Sequence, residues 1–237
     1  GDDVKIKHLE SNDNRSYHIS SKKIEKELGF KTVKTIEDAI KDLKKAISID
    51  STRSSAYLNI ATTFKNDLEN DDMALYYYNL GLKNSINDQS KSDFFNAKSY
   101  LIGESHDIPL IKNYIEELTD FIENKPSISN YSLSRLYYAK AFLCESIEMD
   151  EEAIFNYSKA IQIREVVYVR AYLGRSDSYK ILKEYSKALD DINYLLKTNP
   201  DNQLFIYRKA LIFSEKEELI ESNNNLDLII QQEHLMI

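Results

Sequence analysis

Glycine, proline and cysteine are scarce in this sequence, and each shortage excludes a class of fold. The 237 residues include only 5 glycines and 3 prolines, too few for a β-rich or loop-rich domain, so we expect helices. The single cysteine, Cys144, cannot form an intramolecular disulfide. The first 14 residues contain no apolar signal region. Unless a signal peptide has been removed, we therefore expect a cytoplasmic protein.

Long apolar runs and an excess of positive charge are also missing. No stretch approaches the roughly 18 apolar residues of a membrane-spanning helix. The 39 acidic residues outnumber the 31 basic ones, and the formal net charge is -8. This balance argues against a nucleic acid or an anionic membrane as the main partner. Apolar residues still make up 42% of the chain, which is enough for a core.

A regular helical pattern is present in residues 169–202. Two segments there carry large and small residues at the spacing of one helix face each, and Pro200 follows the second segment. Ser176 and Ala188 fall where the two helices would cross closely, because only small side chains fit at such a crossing. The large residues of the pattern are Tyr172, Tyr179, Ile192 and Leu195.

This spacing resembles the 34-residue tetratricopeptide (TPR) pattern. Ala188 follows Ala153 by 35 residues and precedes Ser222 by 34, and Ala39 and Ala74 are also 35 residues apart. A single hairpin cannot bury its apolar face alone, so it needs neighbouring copies. The resemblance implies an all-α solenoid of helical hairpins, a right-handed superhelix, over residues 35–237. Residues 84–127 lack the alanine and are predicted to form a divergent hairpin.

Residues 1–34 are predicted to be a short, partly mobile extension. Within it, residues 15–20 alternate as in a strand, and Thr35 with Asp38 forms a capping-box pattern at the start of the next helix. The strings SKKIEKELGF and TIEDAIKDL resemble the C-terminal tail of NAD-dependent sugar-nucleotide epimerases and dehydratases. That resemblance implies that Arg15 lies near the diphosphate of a nucleotide sugar.

The rest of such an enzyme is not recognisable. The glycines are too scattered for a dinucleotide-binding turn, so we expect no nicotinamide cofactor to bind this chain alone. Tyr179 and Lys183 match the catalytic Tyr-x-x-x-Lys spacing of that family, but Tyr179 falls on a packing position of the best repeat.

No catalytic residue, metal site or cofactor is predicted. The 4 histidines are far apart in sequence and none has a partner four residues away, the spacing of a helical metal site. Cys144 falls on a packing position and is predicted to be a small buried residue. Carboxylate pairs such as Asp190 and Asp191 are predicted to lie on a solvated surface.

The first helices of stacked hairpins line a concave groove, which is where a ligand is expected. Arginine and aromatic residues are the usual anchors of interfaces, so the groove is predicted to bind a protein or peptide with an anionic preference. A solvated face that binds nothing specific is the alternative. The groove residues are predicted two, five and nine residues into each unit: Arg135, Tyr138, Phe142, Arg170, Leu173, Asp177, Leu204, Tyr207 and Leu211.

The sequence thus predicts a non-catalytic interaction scaffold or adaptor. The Lys/Asn clamp of chaperone-binding TPR domains is not present, since Tyr138 and Phe142 stand at its positions. The alternative is the C-terminal part of a sugar-nucleotide epimerase or dehydratase fused to TPR repeats, inactive in this fragment. Residues 219–237 form a final apolar helix in this interpretation, and we expect it to self-associate, to dock a partner or to continue into further residues.

Overall fold

The computed structural model describes residues 35–216 except Lys125 and Glu165. All regular structure within that part of the chain is α-helical, as predicted. The helices are α1 (Ile36–Ile49), α2 (Ser54–Asn66), α3 (Asp71–Asn84), α4 (Asp88–Gly103), α5 (Ile108–Glu123), α6 (Asn130–Glu145), α7 (Asp150–Ile163), α8 (Val169–Ile181), α9 (Tyr185–Thr198) and α10 (Gln203–Glu215).

Three predictions lie outside the described residues and stay predictions. They are the extension over residues 1–34, the nucleotide-sugar role of Arg15, and self-association through residues 219–237. Among the described residues, no helix is long and apolar enough to cross a membrane. The cytoplasmic location predicted from the sequence is not tested by that finding.

The chain divides into two compact units, residues 1–42 and 43–237. In the first unit, the predicted capping box starts α1: the Asp38 N–H donates to Thr35 Oγ1 at 3.2 Å, and the Thr35 N–H donates to Asp38 Oδ2 at 3.2 Å. Ile40 of α1 is buried, whereas Ile36 and Ala39 are exposed, so the repeat phase suggested by the Ala39 spacing does not bury that alanine.

In the second unit, the described residues after α1 form helical hairpins in succession. The pairs α2/α3, α4/α5, α6/α7 and α8/α9 are each joined by a short turn, and α10 follows. The divergent hairpin predicted for residues 84–127 is confirmed as α4 and α5. Ala74, Ala153 and Ala188 are all completely buried, so the predicted phase of the repeats is correct at these three positions.

The core of the described residues is a row of four apolar clusters, each built by successive helices. The first lies between α2, α3 and α4, the second between α4, α5 and α6, the third between α6, α7 and α8, and the fourth between α8, α9 and α10. Half-buried residues link neighbouring clusters: Leu75 and Leu82 pack against the first two, and Ile115 and Tyr137 against the second and third. The apolar face of each hairpin is therefore covered by its neighbours in the row.

The close crossing predicted in the α8/α9 hairpin is present. The Ser176 hydroxyl donates to the Ala188 carbonyl oxygen at 3.0 Å, and both residues are buried. The small side chains let the helices approach until the hydroxyl reaches backbone of the other helix. Tyr179 packs against the apolar cluster of this hairpin, which agrees with a structural role.

The turns between paired helices share one backbone feature. A residue with positive φ stands two positions before the second helix of each hairpin, with φ between 49° and 60°. None of these residues is glycine, although glycine adopts this left-handed conformation most easily. They are Glu69, His106, Glu148 and Lys183.

The prediction for Asp191 is wrong, because this carboxylate is only 5% exposed. The Arg175 guanidinium binds it through two hydrogen bonds, Nε to Oδ2 at 2.9 Å and Nη2 to Oδ1 at 2.6 Å. Arg175 also donates to Ser158 Oγ at 2.9 Å. One arginine on α8 thus connects α7 and α9. The two charged partners are 16 residues apart in sequence, so the local pattern could not show the pair.

Candidate ligand-binding groove

The first helices of successive hairpins lie side by side, as a repeat array requires. Helix α4 packs against α6, and α6 against α8. The nine predicted groove residues lie on α6, α8 and α10, three on each helix. Their environments differ, and they fall into packed, paired and exposed groups.

Four of the predicted residues are largely occupied with packing. The Phe142 ring contacts the Tyr100 ring at 5.6 Å between centroids and covers the backbone of Gly103, where an added Cβ would come within 2.4 Å of the ring. Tyr138 packs on Tyr157 and Tyr168, and Leu173 packs against the fourth apolar cluster. The fourth, Leu211, is half-buried.

Asp177 is paired rather than free. Its carboxylate accepts from Nη1 of Arg208 on α10, so this ion pair joins two neighbouring hairpins. Close to it, burial raises the pKa of the Glu145 carboxyl group, while the hydrogen bond donated by the Tyr157 hydroxyl acts in the opposite direction. These acidic groups connect helices, which leaves them little capacity for a ligand.

The remaining predicted residues are accessible. Leu204 and Tyr207, on α10, are 48% and 46% exposed, and Arg170 is also exposed. The Arg135 side chain is 32% exposed, and its Nη1 lies 3.5 Å from Oδ1 of Asp93. Two apolar side chains at one end of the series and two arginines nearer the middle are therefore open to a ligand.

Arg135 and Arg170 line one cavity of about 450 Å³, which we call the arginine cavity. Its walls come from α4, α6, α8 and the connection between α7 and α8. They carry three arginines, three tyrosines and one asparagine, namely Arg135, Arg164, Arg170, Tyr100, Tyr131, Tyr168 and Asn96.

Arg164 is the cavity residue that sequence reasoning missed. It caps the C-terminus of α7, a second helix, whereas the groove was predicted from first helices alone. Its guanidinium carbon lies 4.6 Å from the Tyr131 ring centroid and 4.2 Å from that of Tyr168. Tyr131 could have been found, because it lies one helical turn before Arg135. Nothing in the sequence spacing indicates that Arg164 lies close to Arg135 and Tyr131.

All three arginines of the cavity act on the pKa of Tyr168. Burial raises the pKa of Tyr168 to about 12, and the neighbouring Tyr100 hydroxyl acts in the same direction. Three guanidinium groups act in the opposite direction, those of Arg164, Arg135 and Arg170. The Tyr168 hydroxyl is therefore protonated at neutral pH and can donate a hydrogen bond to a ligand in the cavity.

Metal-binding clusters and the cysteine were also candidates for chemistry in the described residues. These residues contain no group of three or more His, Cys, Asp or Glu side chains that could hold a metal ion. The Cys144 thiol is 1% exposed, and burial raises its pKa to about 11, so it packs as predicted instead of presenting a thiolate.

Comparison with solved structures identifies the fold. A tetratricopeptide repeat protein from Parabacteroides merdae ATCC 43184 is similar, with a TM-score of 0.64 and 15% identity over 89% of this chain and 78% of that one. The MamA protein gives 0.57 and 20% identity over 76% and 92%. YrrB, described as a TPR protein with an unusual peptide-binding site, gives 0.52 and 16% identity over 80% and 91%.

Family models give no match to this sequence, and neither do the curated proteins. At these identities the similarities show the fold alone, an all-α array of TPR-type helical hairpins. They lend no support to the epimerase-tail resemblance of the N-terminal segment.

Proposed function

We propose that this protein is a non-catalytic scaffold that binds a peptide segment of a partner protein along its first helices. The observation that carries the proposal is the arginine cavity, a basic site on a chain whose net charge is -8. Binding energy at protein interfaces is concentrated in Arg, Tyr and Trp side chains, and this cavity is lined by Arg and Tyr with a single Asn.

Exposed apolar residues farther along the same series support a peptide ligand. Leu204 and Tyr207 project from α10 with about half of their surfaces in water. An extended peptide with an acidic residue and an apolar or aromatic residue would match a basic site and an apolar site on successive first helices. YrrB, which has this fold, is itself described as having a peptide-binding site.

A displayed library of random peptides tests the proposal. Peptides selected on the wild-type protein should be rich in Asp and Glu and should lose affinity for the double variant Arg135→Glu/Arg170→Glu. A matched control is Lys112→Glu/Lys197→Glu, which makes the same charge change at exposed positions on the second helices α5 and α9. Loss of about tenfold or more in affinity is expected for the first variant, because charge-assisted hydrogen bonds contribute roughly 1.5–3 kcal/mol each.

Circular dichroism melting would confirm that both double variants fold. Selected peptides that bind the arginine variant as tightly as wild type would exclude the arginine cavity as the site. A loss of affinity in the lysine variant alone would place the site on the second helices. A library that yields no binding peptide at all would count against a peptide-binding function.

A further inference from the structure

The guanidinium group of Arg164 lies against two tyrosine rings. The ring centroids of Tyr131 and Tyr168 lie 4.6 Å and 4.2 Å from its central carbon. Among the described residues, these aromatic contacts and no carboxylate hold the cation. Its Nε is buried and has no hydrogen-bond partner among the described residues. The planar guanidinium carries its N–H donors along its edge, and two of them can bind two oxygens of one anion.

The other two arginines of the cavity add further N–H donors that are available to a ligand. Arg170 is exposed and forms no hydrogen bond or ion pair with any residue that the structure describes. Arg135 has one carboxylate neighbour, Asp93, at 3.5 Å. Among the described residues around the cavity, three positive charges therefore face one negative charge.

The wall of the cavity also holds a buried polar group without a partner. Asn96 is 5% exposed, and its Oδ1 accepts no hydrogen bond within the described part of the chain. A buried acceptor left unpaired destabilises the fold, because it has lost its hydrogen bonds to water. Such a group suits a site that is completed by a ligand, and a peptide N–H is the donor that a bound segment would bring.

The number of N–H and O–H donors in the cavity distinguishes between a carboxylate and a phosphate as the ligand. Each arginine carries five N–H donors, and the tyrosine hydroxyls add more. One carboxylate has two oxygens, which a single guanidinium can bind in a bidentate manner. A phosphate monoester has three terminal oxygens and a charge of about −1.5 to −2 at pH 7, so it matches both the donors and the excess charge.

We propose that the arginine cavity is a binding site for a phosphorylated side chain of the partner peptide. Arg164 and Arg170 bind the phosphate oxygens, Arg135 adds charge, and the protonated Tyr168 hydroxyl donates to the same group. This inference rests on the proposed function, since it names the chemical group that the groove recognises.

Calorimetric titration with three peptide pools tests the site on the full chain. The pools are blocked nonapeptides with a fixed central phosphoserine, glutamate or serine and random flanks. The phosphoserine pool should bind about tenfold or more tightly than the serine pool, a difference of roughly 1.4 kcal/mol or more, with the glutamate pool between them. Arg170→Gln should abolish this preference without unfolding, because Arg170 is exposed.

Two further variants sharpen the result. Asp93→Asn removes the carboxylate beside Arg135, so it should raise the affinity for the phosphoserine pool, a gain that misfolding cannot produce. Arg164→Lys keeps the charge but loses the planar fork, and it should reduce the preference for phosphoserine. Lys112→Gln on α5 is the matched control and should bind as wild type.

The outcomes separate this inference from the proposed function. Equal binding of the phosphoserine and serine pools, or an unchanged preference in Arg170→Gln, would overturn the phosphate site while leaving a peptide groove intact. A glutamate pool that binds as tightly as the phosphoserine pool would assign the cavity to carboxylates and also overturn it. Failure of all pools together with failure of the display selection would reject the groove itself.

Discussion

Single residues in the turns carry backbone strain that the repeat pattern does not reveal. Glu148 adopts a φ of 60° between α6 and α7, and equivalent residues do so in three other turns. The side chain of Glu148 is exposed, so it has no buried contacts that offset the cost. A left-handed conformation costs a non-glycine residue about 1–2 kcal/mol, whereas glycine adopts it freely.

Glu148→Gly should therefore stabilise the protein by about 0.5–1 kcal/mol, after subtraction of the extra entropy that glycine loses on folding. Urea unfolding monitored by circular dichroism measures the change. The matched control is Glu151→Gly, three residues later and also exposed but within α7, which should destabilise by about 1 kcal/mol. A loss of stability in Glu148→Gly would show that the turn does not require the left-handed conformation.

Helices in this chain contact one another at positions where side-chain volume is restricted. Ala188 is completely buried on α9, and its carbonyl oxygen accepts from Ser176 at 3.0 Å. Ala39 has the equivalent sequence spacing on α1 but is exposed. The same residue type thus has different packing requirements in the two helices.

Ala188→Leu should destabilise the protein by about 1–3 kcal/mol, because added volume at a close crossing forces the helices apart. Ala39→Leu makes the same substitution on an exposed helix face and should change stability by less than about 0.5 kcal/mol. Thermal melting of both variants measures the contrast. Equal melting temperatures for the two variants would mean that α8 and α9 do not cross closely at Ala188.

Over the described residues, the hydrophobic core of the whole molecule is divided into clusters that follow one another along the chain. Four apolar clusters succeed one another, and each involves helices that are neighbours in sequence. In repeat arrays of this kind, stability is approximately a sum of unit and nearest-neighbour terms. A defect in one cluster should therefore have mainly local effects.

Ile60→Ala, in the first cluster, should cost about 2–5 kcal/mol, as burial of its side chain is complete. Native-state hydrogen exchange should then show lost protection in α2, α3 and α4, with α8, α9 and α10 little changed. Leu195→Ala, in the fourth cluster, is the matched control and should show the reverse pattern. Uniform loss of protection in either variant would indicate a single cooperative core instead of a row.

The sequence by itself determined the helices and their pairing, because both depend on local spacing. Ala153 and Ala188, 35 residues apart, are both buried, and so is Ala74, whereas Ala39, 35 residues before Ala74, is exposed. The capping box of Thr35 and Asp38 is equally local, since its two residues are three positions apart.

Only the tertiary structure decided which side chains are available to a ligand. Phe142 and Asp177 have the spacing of groove residues, but one covers Gly103 and the other pairs with Arg208, 31 residues away. Arg164 lies outside the predicted groove positions, yet the connection after α7 brings it to Arg135 and Arg170. Periodicity determines the face of a helix on which a residue lies. The packing of neighbouring hairpins determines which other side chains contact that residue, and hence whether a ligand can reach it.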